Sequence, residues 1–180
     1  MIQRLLNILS SVSLLATIFL INKRIGVGTI LRYVGIHVEY DLPQYYSYIV
    51  YVLIPFLFAG CLVRLFPKLR PGELRAGNVS EISADNSSFL AMILGYVFVG
   101  LSISNASTLL VIMSFLLIFN LCGNSYIFNP LFYVFGYRYY YITSSSIKFL
   151  IMTKKRISLG TKADFPNARC LNDFTYIDLD

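Results

Sequence analysis

Apolar and polar positions along this chain fall into long blocks, with none of the three-to-four-residue rhythm of a half-buried helix. The first block, "LLNILSSVSLLATIFLI" at residues 5–21, is bounded by Arg4 on one side and by Lys23 and Arg24 on the other. It predicts a helix long enough to cross a bilayer. Because it runs into a basic pair rather than a small-residue cleavage site, it reads as an uncleaved span. The second block, residues 45–66, opens on a tyrosine cluster, carries Pro55 in its interior and closes around Arg64. Tyrosines favour the membrane interface, Pro55 predicts a kink, and the long Arg64 stem can lift its charge to the headgroups. Two more blocks, 88–104 and 107–128, are separated only by "SNA", which predicts a tight helical hairpin. The pattern as a whole predicts a mainly α membrane protein, a four-span transmembrane helical bundle over residues 1–128.

Beyond residue 128 the period changes. "NPLFYVFGYRYYYIT", residues 129–143, sets seven aromatic residues and Arg138 directly after the last apolar block. Asn129 and Pro130 interrupt the helix, Gly136 allows a turn, and Tyr137 begins a stretch of aromatic and β-branched residues. A Ser cluster at 144–146 predicts a hairpin turn, and "FTYIDLD" a third strand. Leu150 and Met152 share strand parity with Lys148 and Lys154, so both faces carry apolar residues; a sheet with one face pressed on the membrane or on a partner accounts for this. "SLGTKADFPNARCLND" reads as a loop of about sixteen residues between strands. Residues 129–180 are therefore expected to form a small C-terminal cytosolic β-rich domain, and residues 67–87 a turn-rich connector.

Composition fits the block pattern, with 57% hydrophobic and only 13% charged residues. A soluble domain of this size has no core large enough for so much apolar side chain. The net charge of +6 lies outside the blocks and serves to orient them. With four spans, Arg4, Lys68, Arg70, Arg75 and seven tail residues give eleven basic residues on one side. Lys23, Arg24 and Arg32 give three on the other. That bias predicts both termini in the cytoplasm.

The spans also show where helices meet. Asn7, Ser10, Ser13 and Thr17 recur on one face of the first, and Ser88, Ala91, Gly95 and Ser102 on one face of the third. Ser10, Ser13, Ala91 and Gly95 are the candidate helix-packing positions, since small side chains permit close approach. The alternative is that these faces line a pore. No Asp, Glu, Lys or His lies at the centre of any span, which argues against ion-coupled transport.

Candidate chemistry is sparse. His37, Glu39 and Asp41 in "GIHVEYD" form the one acid and base cluster, and a solvated loop accounts for it. Cys61, Cys122 and Cys170 lack paired spacing, and a single histidine supplies no metal cluster. No cofactor, metal or catalytic residue is expected, and the chain is expected not to be an enzyme. "NVS" at Asn78 falls on the cytoplasmic side, away from glycosylation. "TKKRIS" at 153–158 suits anionic lipid or a protein partner; so short a patch is not expected to bind nucleic acid directly.

"NPLFYVFGYRYYYIT", "FLIMTKKRI" and "LNDFTYIDLD" together resemble the cytosolic end of the membrane subunit of the Kiwa anti-phage defence system, KwaA. The resemblance is strongest over the last fifty or so residues. It implies a homo-oligomer in the bacterial inner membrane that senses phage attack. It also implies a cytosolic partner subunit, KwaB-like and nucleic-acid binding. Arg138, Tyr139, Tyr141, Lys154, Lys155 and Arg156 are the tail residues expected to dock that partner, Tyr and Arg being frequent interface anchors. A small channel or pore-forming membrane effector is the competing reading.

Overall fold

The computed structural model describes residues 2–36, 43–72, 79–84, 87–122, 129–144, 147–157 and 165–179. His37, Glu39, Asp41, Asn78 and the last six residues of the fourth apolar block lie outside them. Within them the apolar blocks are helices: α1 (Ile2–Asn22), α3 (Gln44–Leu65), α4 (Ser87–Ser102) and α5 (Ala106–Cys122). A short α2 (Val27–Tyr33), outside the four apolar blocks, stands between α1 and α3. Its first turn lacks a side-chain cap of its own, and the Val27 N–H donates instead to Ser47 Oγ on α3 at 3.0 Å.

Length separates the helices into two classes. At 21 and 22 residues, α1 and α3 extend about 31 and 33 Å, enough for a hydrocarbon core of about 30 Å. With 16 and 17 residues, α4 and α5 reach about 24 and 26 Å. Two segments, Leu5–Asn22 and Gln44–Lys68, are thus long and apolar enough to cross a membrane. Of the four expected spans, α1 and α3 have this length; α4 and α5, as described, are apolar but shorter.

The central helix is α1, which packs against α3, α4 and α5. Its Leu15 and Phe19 meet Ile103 and Leu109 at the α4–α5 turn. Asn105 caps α5 there by accepting the Thr108 N–H at 2.8 Å. On the α4 side, a Cβ placed at Gly100 would lie 2.8 Å from Ile18 Cγ2, so only glycine lets the two helices come this close. Much of what faces outward on α3, α4 and α5 is apolar, including Leu53, Leu57, Leu94, Phe98, Phe115 and Phe119. Polar groups on these outer faces turn inward onto their own backbone. Ser114 Oγ donates to the Leu110 carbonyl and Asn120 Nδ2 to that of Leu116, so neither spends its donor outward.

The β-region is larger than the expected hairpin plus one strand. β3 (Arg138–Ser144), β4 (Ile147–Thr153) and β6 (Thr175–Asp178) are joined by β1 (Arg70–Pro71), β2 (Val79–Ala84) and β5 (Ala168–Asn172) in the order β1-β5-β6-β4-β3-β2. Thus β5 occupies part of the expected long loop, while β1 and β2 come from the expected connector. Only β4 and β6 run parallel. One face, with Tyr139, Leu150, Met152 and Ile177, packs on Ala59, Leu62 and Phe66 at the foot of α3. The opposite face gathers Tyr140, Ile142, Ile151, Phe165 and Ala168. The imperfect alternation is resolved at the strand ends: Lys148 sits over the Tyr141 ring at 4.9 Å and Lys154 over Tyr137 at 5.0 Å, beside the core rather than within it.

Candidate functional site at the junction of helices and sheet

Where α5 gives way to the sheet, the chain passes through Asn129 and a 3-10 turn, Pro130–Tyr133. Proline at the turn's start has no N–H to leave unpaired, and Asn129 closes the turn by accepting the Leu131 N–H on Oδ1 at 3.0 Å. The rest of the Asn129 amide does something a cap does not require. Its Nδ2 donates to Asn7 Oδ1 at 3.1 Å and to Ser10 Oγ at 3.0 Å, both on α1. Its own backbone N–H and carbonyl bracket the Tyr139 hydroxyl, at 3.1 and 2.9 Å. Asn129 is fully buried, and every one of these groups would be costly to leave unpaired there.

Ser10 carries the network to α3 by donating to the Pro55 carbonyl at 3.4 Å. Two turns further along α1, Thr17 Oγ1 donates to the Tyr51 carbonyl at 2.9 Å. In an uninterrupted helix the residue-55 N–H would bond that carbonyl, but proline has none. The Thr17 hydroxyl takes its place, and the Tyr51 hydroxyl in turn donates to the Ile25 carbonyl at 3.0 Å. One polar seam therefore runs from the far end of α1, across α3, to the first residues of β3. At that far end Asn22 Nδ2 reaches the Leu101 carbonyl, so the N-terminal half of α1 lies at the sheet end of the bundle.

Of the expected helix-packing residues, Ser10 lies fully buried in this seam, and half-buried Ser13 donates to the Ser10 carbonyl within α1. Ala91 and Gly95 lie on the exposed side of α4, where a Cβ at Gly95 would meet nothing within 4 Å. The glycine that meets α1 is Gly100. Since the Ser10 and Thr17 hydroxyls are bonded to α3 carbonyls, this seam is not a water-lined path within one chain.

Among the expected docking residues, Lys154, Lys155 and Arg156 are exposed, and Arg138 and Tyr141 are half-buried. Tyr139 differs, being 1% exposed and turned toward the helices. Its place is in the junction core, because strand alternation from Arg138 sends the odd-numbered residues to that side. Two groups that the sequence did not single out are Thr153 and Asp178, both buried on the outer face. Thr153 Oγ1 donates to Asp178 Oδ2 at 2.9 Å, and Lys155 Nζ lies 4.0 Å from the same oxygen. Among the described residues no group of three or more His, Cys, Asp or Glu side chains is placed to hold a metal ion. Cys170 donates its thiol to the Asn172 carbonyl, and burial with the nearby Asp173 pushes its pKa above the ordinary thiol value.

Two helices long and apolar enough to cross a membrane, and an apolar exterior, point to membrane association, with a sheet bonded to the helices through buried amides. A family model described as "Anti-phage protein KwaA" matches residues 3–177, and the chain belongs to that family. It accordingly has a role in anti-phage defence. No curated protein and no solved structure matches it.

Proposed function

We propose that this chain is the non-enzymatic, membrane-embedded sensor and scaffold of an anti-phage complex. In this reading all four apolar helices cross the bacterial inner membrane, the shorter α4 and α5 being met by local thinning of the bilayer. The sheet and both termini face the cytoplasm, in line with the excess of Lys and Arg at that end. Protomers assemble through the outer helix faces, with Ala91 and Gly95 as close-approach positions. The sheet docks a cytosolic, nucleic-acid-binding partner through Arg138, Tyr141, Lys154, Lys155 and Arg156.

The observation that supports this most is the Asn129 network. It bonds α1 to the turn that starts the sheet, so a shift of α1 within the membrane is carried to the cytoplasmic surface without an intervening flexible linker. The decisive experiment uses full-length protein co-expressed with the partner encoded beside it. The reading expects Lys154→Glu, Lys155→Glu and Arg156→Glu together to abolish co-purification of the partner and protection against phage. Retention of both by this variant, in membranes at normal abundance, overturns the docking role. Asn129→Leu is expected to keep the partner bound yet lose protection, which separates sensing from assembly.

A further inference from the structure

Two cavities flank the turn at the junction, one lined in part by Pro130, Leu131 and Val134, the other by Tyr133, Gly136 and Tyr137. One, of about 310 Å³, opens between α1, α3 and α4 and is lined by Leu14, Phe56, Ile93, Val97 and Leu131 among other mainly apolar side chains. The other, of about 400 Å³, lies at the sheet and is lined by Ala84, Tyr133, Gly136, Tyr137, Arg138 and Ile157. An aromatic contact links their linings: the ring of Phe89, which lines the apolar cavity, is 4.2 Å from that of Tyr133, which lines the other. Gly136 has φ of 84°, and a Cβ there would meet nothing within 4 Å, so the chain turns without filling the second cavity.

The chemistry of the two cavities differs in the order that a lipid differs along its length. Water gains nothing in the apolar one, which has too few polar partners to hold it, and its place among the helices puts it at hydrocarbon depth. The second cavity holds Arg138, and among the described residues no carboxylate pairs with it. Arg138 stands opposite Thr153 in the β3–β4 register, so exposed Lys154, Lys155 and Arg156 leave the sheet beside it. Arg138 is half-buried at the start of β3, and a guanidinium matches a phosphate oxygen pair in charge and geometry.

We infer that this junction binds one anionic phospholipid, an acyl chain lying between α1, α3 and α4 and the phosphate held by Arg138 beyond the Phe89–Tyr133 pair. The inference rests on the chain being membrane-embedded, as proposed above; it assigns Arg138 to lipid, leaving Tyr141, Lys154, Lys155 and Arg156 for the partner. Bound lipid would brace the turn at Pro130–Tyr133 from both sides, and so the Asn129 network that the turn supports.

The test uses full-length protein in mild detergent, followed by native mass spectrometry and thermal melting with added phosphatidylglycerol, phosphatidylcholine or inorganic phosphate. Phosphatidylglycerol is expected to bind singly and to raise the melting temperature more than phosphatidylcholine, while phosphate alone leaves it unchanged. Arg138→Gln is expected to lose about fivefold of the preference for phosphatidylglycerol, and Lys154→Gln with Arg156→Gln to lose much less. Ile93→Trp, which fills the apolar cavity, is expected to lose the bound lipid of either kind. Equal effects of the two lipids, a full effect of phosphate alone, or equal losses in the arginine and lysine variants would each overturn the site. A second copy of the chain in place of lipid, seen as a lipid-free dimer that Ile93→Trp dissociates, would overturn it as well. Failure of the protein to sediment with membranes is a separate readout, and counts against membrane embedding rather than against the Arg138 preference.

Discussion

The Tyr139 hydroxyl is clasped by both backbone polar groups of Asn129, accepting from its N–H at 3.1 Å and donating to its carbonyl at 2.9 Å. Tyr139→Phe preserves the ring but strands two buried backbone groups. A loss of about 2 kcal/mol is expected, the desolvation cost of such groups without partners. Thermal or denaturant unfolding in detergent checks it. Tyr141→Phe, at a half-buried ring on the same strand, is the comparison and is expected to cost less.

Thr17 owes its role to the missing amide of Pro55. Thr17→Val is expected to lower stability by about 1 kcal/mol, within the range measured for hydrogen bonds between membrane helices. Pro55→Ala supplies an N–H for the Tyr51 carbonyl, and in that background Thr17→Val is expected to cost little. A double-mutant cycle showing the same cost in both backgrounds would mean that the hydroxyl does not substitute for the proline's absent donor.

Two glycines on α4 have opposite surroundings. Gly100→Ala drives a methyl into Ile18, where the nearest atoms would be 2.8 and 2.9 Å away, and is expected to destabilise by about 1 to 3 kcal/mol. Gly95→Ala has open space and is expected to leave the stability of the single chain unchanged or slightly raised. Gly95→Leu reports on assembly instead. Cross-linking should show fewer oligomers with unaltered melting of the protomer, if α4 meets a second copy there.

The Cys170 thiol is held above its ordinary pKa by burial first and by the Asp173 carboxylate second, with Arg70 opposing both. At neutral pH it is therefore less ionised than a free thiol. In a Cys61→Ser, Cys122→Ser background, alkylation by iodoacetamide is expected to be slower than that of a model thiol. The rate should climb only as pH passes above the usual thiol range. Asp173→Asn should speed it. Because the folded state keeps this proton more tightly than the unfolded chain does, the stability linked to it is present below the free thiol's pKa. It is lost as pH rises through the folded one.

The helices were legible in the sequence because α1 and α3 are unbroken apolar runs, with bounds close to those observed. It also located the turn at Gly136. In the sheet, the β3–β4 hairpin and β6 were legible, because their aromatic and β-branched residues mark them locally. β1 is two residues long and pairs with Cys170 and Arg169, about a hundred positions away, and no local pattern encodes such a partner. Asn129 was read as a helix breaker because its amide's partners, Asn7 and Ser10, lie more than a hundred residues earlier. Tyr139 was read as an interface residue for the opposite reason. Composition cannot say which parity of an aromatic strand faces the bundle, and the helices decided it.

Both outer strands of the sheet belong to the single segment that joins α3 to α4. β1 follows directly from the foot of α3 and β2 leads directly into α4, with the four tail-derived strands held between them. Five strand spacings separate these edges, about 24 Å. The β-domain is thus a spacer bar between two helix feet, its length fixed by a count of strands. Any change in the separation of α3 and α4 must either shear that ladder or peel away one edge. Of the two edges, the two-residue β1 is the one that will yield.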